Sequence, residues 1–76
     1  MTDQAIDFMQ ILVNRGINYD LCVRVHEGLY KKRQGQSVVE IDLDKMCGYY
    51  GASREHLVAI IRWYESNLLS TTFIIN

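Results

Sequence analysis

Apolar positions recur along the chain in four blocks of helical period and two short extended stretches, separated by glycines and small polar caps. Ala5, Phe8, Met9, Leu12 and Val13 predict a first helix from Asp3 to Asn14, capped by Thr2 and closed at Gly16. Leu21, Cys22, Val25, Leu29 and Tyr30 predict one face of a second helix, from Tyr19 to Lys32. Asn18 is its N-cap, Ile17 lies in the place of a hydrophobic staple, and Gly35 ends it. The run from Ser37 to Ile41, rich in β-branched residues, predicts a strand.

Leu43, Met46, Cys47, Tyr50 and Ala52, then Leu57, Ile60 and Ile61, form two helical blocks on either side of Gly51. Two short helices joined by a glycine turn are the pattern of a helix-turn-helix. Asp42 caps the first of them. Gly51 accepts the positive φ that closes it, a conformation in which other residues crowd Cβ against the backbone. Ser53 caps the second, Glu55 suits the positive end of its dipole, and Cys47 is small enough for a close helix crossing. This division turns Leu57, Ile60 and Ile61 inward and leaves Arg54, Glu55, Val58, Ala59 and Arg62 outside. Beyond Asn67, Leu68 to Ile75 predicts two short strands with a turn at Ser70 to Thr72, to which Ser37–Ile41 adds a third. The expected architecture is one domain over residues 1–76: mainly α with a small antiparallel sheet, a winged helix-turn-helix with an extra N-terminal helix. Its parts are that helix at 1–16, the helix-turn-helix at 42–67 and the wing at 68–76.

From Val39 to Asn76 the sequence resembles the DNA-binding domain of the cyclic-AMP receptor protein and fumarate-nitrate regulator family. The resemblance is carried by Gly51-Ala52-Ser53-Arg54-Glu55, by Leu57, Ile60, Ile61, Arg62 and Glu65, and by Asn67-Leu68-Leu69 with Phe73-Ile74-Ile75. It implies that Ser53, Arg54 and Glu55 meet DNA at the front of a recognition helix, with Arg62 near the phosphate backbone and Val58 and Ala59 on the same face. The family's effector-binding barrel and long dimerisation helix have no counterpart here. The expected function is therefore that of a small sequence-specific regulator of transcription binding double-stranded DNA, a guanidinium such as that of Arg54 being suited to the O6 and N7 of guanine. One recognition helix gives little affinity alone, so a homodimer is expected, with Ile6 and Ile11 on the first helix as its contact.

Charge bears on that expectation. Eight Lys and Arg against nine Asp and Glu give a net charge of −1, without the positive surplus that supplies non-specific affinity for nucleic acid. Together with the apolar Val58 and Ala59 and the surplus of tyrosines, this supports a rival from another class: a protein-interaction module that binds a regulator or polymerase subunit through Tyr49, Val58 or Tyr64 and leaves DNA alone. Tyr50 and Trp63 are the aromatic residues expected in the core. No apolar run has the length of a membrane span and no leader pattern is present, so a soluble cytoplasmic protein is expected. Cys22 and His26 have a ligand-like spacing, but Cys47 and His56 do not complete it in the manner of zinc modules, so neither metal nor cofactor is expected. No phosphate loop, paired carboxylates or nucleophile motif is present, and no enzymatic activity is expected.

Overall fold

The computed structural model describes residues 10–67 and 71–76. Residues 10–14 are helical and are followed by α1 (Tyr19–Arg33), β1 (Val38–Ile41), α2 (Leu43–Tyr50), α3 (Arg54–Asn67) and β2 (Thr72–Ile75). The first-helix positions Asp3 to Met9, Ile6 among them, and the proposed strand start at Leu68 to Ser70 lie outside the described residues. The described chain is mainly helical, with one two-stranded sheet.

Local chemistry accounts for the element boundaries. Asn18 accepts the Leu21 amide at 3.1 Å and Asp42 accepts that of Lys45 at 3.2 Å, each supplying an acceptor for one of the backbone N–H groups left open at a helix start. Gly51 closes α2 at φ 64°, its amide donating to the Cys47 carbonyl at 2.9 Å. At the end of α1 two successive residues have positive φ, Gln34 at 38° and Gly35 at 80°.

The sheet departs from the expected antiparallel wing: β1 and β2 run parallel, with Val39 beside Phe73 and Ile41 beside Ile75. Thr72, expected in a turn, opens β2. Thr71 supplies the reason. It is 2% exposed, donates its hydroxyl to the Gln36 carbonyl at 2.8 Å and accepts from Arg33 Nε at 3.0 Å. The Thr72 amide then donates to the Ser37 carbonyl at 2.8 Å, so β2 starts where β1 starts and must run the same way. At the far end the Asn76 amide donates to the Ile41 carbonyl at 3.0 Å.

Val39, Ile41 and Phe73 turn one face of the sheet into a core shared with Leu12, Val25, Leu29, Leu57, Ile60 and Ile61. Strand alternation leaves Val38, Glu40, Thr72 and Ile74 on the opposite face. Three aromatic expectations are corrected. Tyr64 is buried, 1% exposed, because α3 turns it toward Phe73 and His26, at ring-centroid distances of 6.1 and 4.6 Å. Tyr30, expected on the apolar face of α1, is exposed, since it follows Leu29 by one residue and is carried about 100° round the helix. Tyr50 and Trp63 are half-buried against the core rather than within it.

Candidate nucleic-acid interface at the α2–α3 turn

The α2–α3 pair is held at its turn by the Cys47 carbonyl, which accepts from Gly51 at 2.9 Å and from Ala52 at 3.3 Å. Cys47 is half-buried there. Ser53 Oγ accepts the His56 amide at 3.2 Å and the Ser53 carbonyl accepts that of Leu57 at 3.1 Å, which fixes the first turn of α3. Leu57, Ile60 and Ile61 are fully buried, and this pins the face that α3 presents.

Ser53, Arg54 and Glu55 are brought together, exposed, at the front of α3. Arg54 Nη1 is paired with Asp44 Oδ1 from α2. Both side chains are largely open to solvent, at 59% and 83%, and such a pair contributes only about 0–1 kcal/mol. The guanidinium thus lies across the turn in a contact that costs little to break. Val58 and Ala59, expected on the outer face, are half-buried and pack against the core cluster.

Arg62 has a different role from the other exposed residues of α3. Its Nη1 donates to the Phe73 carbonyl at 3.1 Å and reaches Glu65 at 3.3 Å, while Glu65 accepts the Phe73 amide at 2.7 Å. The pair ties α3 to β2. The sequence spacing of Arg62 and Glu65 marks an ion pair at i,i+3, but their common backbone partner eight to eleven residues onward carried no signal.

Basic residues outside α3 gather elsewhere. Lys31 and Lys32 at the end of α1 and Lys45 on α2 form no ion pair among the described residues, beside a fully displayed Tyr49 at 81% exposure. Ile11 is also exposed, at 42%. Cys22 is buried and free, and burial raises its thiol pKa above the usual 9.0. Burial lowers the pKa of His26 below 6.5, with Glu27 opposing the shift. Among the described residues no group of three or more His, Cys, Asp or Glu is placed to hold a metal ion, and no helix is long and apolar enough to cross a membrane. Compared with family models, curated proteins and solved structures, the chain finds no match.

Proposed function

We propose that the protein is a small regulator that binds duplex DNA by inserting the start of α3 into the major groove. The observation that carries this reading is the exposed Ser53-Arg54-Glu55 front of α3, held rigid by the Gly51 turn and the Ser53 cap. A short helix with a pinned inner face and a guanidinium at its leading end suits groove insertion. In this reading the fold is a variant winged helix in which a parallel strand pair lies beside the helical pair, and Ile11 contributes to a homodimer spanning two half-sites.

Electrophoretic mobility shift with random-sequence and selected duplexes, at two salt concentrations, tests it. Affinity should fall steeply as salt rises, because phosphate contacts release counterions, and Arg54→Ala should flatten the preference at one base position. Absence of any duplex binding at low salt would remove the reading.

The second reading, a protein-interaction module, is favoured by the engagement of Arg62 with β2, which takes one cation from the α3 face. The exposed ring of Tyr49 is its candidate anchor. A partner retained at high salt and lost with Tyr49→Ala, alongside no duplex binding, would establish it instead.

A further inference from the structure

A groove separate from the front of α3 runs between α1 and α2. Its floor is Gly28, where a Cβ would overlap the Tyr50 hydroxyl, so the glycine is what lets the Tyr50 ring lie across α1. Tyr49 stands at 85° to Tyr50 with ring centroids 4.8 Å apart. Gly28 and the two rings are common to both halves of the groove. One half, of about 240 Å³, is walled by Leu29 and Met46 and rimmed by Lys32 and Lys45. The other, of about 380 Å³, is lined by Arg24, Glu27 and Lys31.

The charge here is unlike that of the chain as a whole. Four cations face two acids, and one of those acids, Asp42, already accepts the Lys45 amide as a helix cap. Arg24 is shared between Asp20 at 3.2 Å and the face of Tyr50 at 5.9 Å, whereas the three lysines have no ion-pair partner among the described residues. A neutral ring in this groove would leave the ammonium groups unused. An inorganic anion would leave the aromatic and thioether walls unused.

We propose that this groove binds a mononucleotide, with the base against Tyr49 and Met46 in the apolar half and the phosphate at Lys31 and Arg24 in the polar half. A nucleotide joins a stacking plane to a phosphate carrying close to two negative charges, which complements both halves at once. The proposal is independent of α3 meeting DNA, and its test contains no duplex.

The full chain, isotopically labelled, is titrated by NMR with AMP, CMP, adenosine and inorganic phosphate in turn. Saturable shifts are expected at Gly28, Tyr49 and Tyr50 with either nucleotide, at an affinity about tenfold or more above that for adenosine or phosphate alone. Tyr49→Ala and Lys31→Ala should each weaken nucleotide binding by about tenfold, and Arg54→Ala should leave it unchanged. Unaltered resonances of Leu57 and Phe73 identify a folded variant. No saturable shift with either nucleotide, equal binding of phosphate alone, or indifference to Tyr49→Ala in a folded variant would overturn the proposal. So would binding confined to an oligonucleotide such as single-stranded poly-dT.

Discussion

Glu65 on α3 accepts the backbone amide of Phe73 on β2 at 2.7 Å, while Arg62, one turn earlier, donates to the carbonyl of the same residue at 3.1 Å. The two side chains thereby do for Phe73 what a neighbouring strand would do, satisfying both polar groups on the strand edge away from β1. Because the Glu65 bond is charge-assisted and partly buried, Glu65→Ala should destabilise the protein by about 1–3 kcal/mol. Urea unfolding followed by circular dichroism measures this, and a change within the error of the wild-type midpoint would show the clasp to be dispensable.

Arg62→Ala separates structure from recognition. Its loss should lower the unfolding midpoint through the Phe73 contact, whereas Arg54→Ala, which removes only an exposed pair with Asp44, should shift stability by less than about 1 kcal/mol. In duplex binding the order reverses: Arg54→Ala should cost about 1–3 kcal/mol. Unfolding and mobility-shift data on both variants check the crossover.

Leu57 is fully buried where α3 meets the core, and Leu57→Ala should cost about 2–5 kcal/mol, the lost burial plus the cavity left behind. Thermal unfolding of the variant, with the midpoint unmoved, would contradict that packing.

Stability should be greatest between roughly neutral pH and pH 9. Burial lowers the pKa of His26 below its unfolded value of 6.5, so the unfolded chain takes up that proton first on acidification. The stability tied to neutral His26 is fully present above pH 6.5 and is lost as pH falls through the lower folded-state value. On the alkaline side burial raises the pKa of Cys22 above 9.0 and those of Tyr50 and Tyr64 above 10.0. Their unfolded forms ionise first, so stability declines as pH rises past those unfolded values. His26→Gln should flatten the acidic limb in a pH series of urea midpoints and leave the alkaline limb in place.

The helix ends were legible in the sequence because their causes are local. Asn18, Asp42 and Ser53 each satisfy an amide three residues away, and Gly51 answers to the backbone geometry of its own turn. The exposed front of α3 followed from the same caps together with the burial of Leu57, Ile60 and Ile61. The sheet direction was not legible. It depends on Thr71 meeting Gln36 and Arg33, residues more than thirty positions away, and no periodicity encodes such a meeting. Tyr64 is hidden from sequence for a related reason: its position beside Ile60 and Ile61 in helical period allows burial, but His26 from α1 and Phe73 from β2, both distant in sequence, are what cover it. Arg62, similarly, reads as a cation near the phosphate backbone, and its bond to the Phe73 carbonyl is visible only once β2 lies beside it.

The parallel pairing also orders the events of folding. Val38 meets Thr72 only after the chain has passed through both α2 and α3, so the sheet cannot zip up from a hairpin turn as an antiparallel ribbon does. The helical pair, closed by contacts near in sequence, is the expected nucleus, with β2 docking afterwards onto the surface it forms. Substitutions in β2 should therefore accelerate unfolding while leaving the refolding rate nearly untouched, and the C-terminal strand becomes the latch whose release limits the lifetime of the native state.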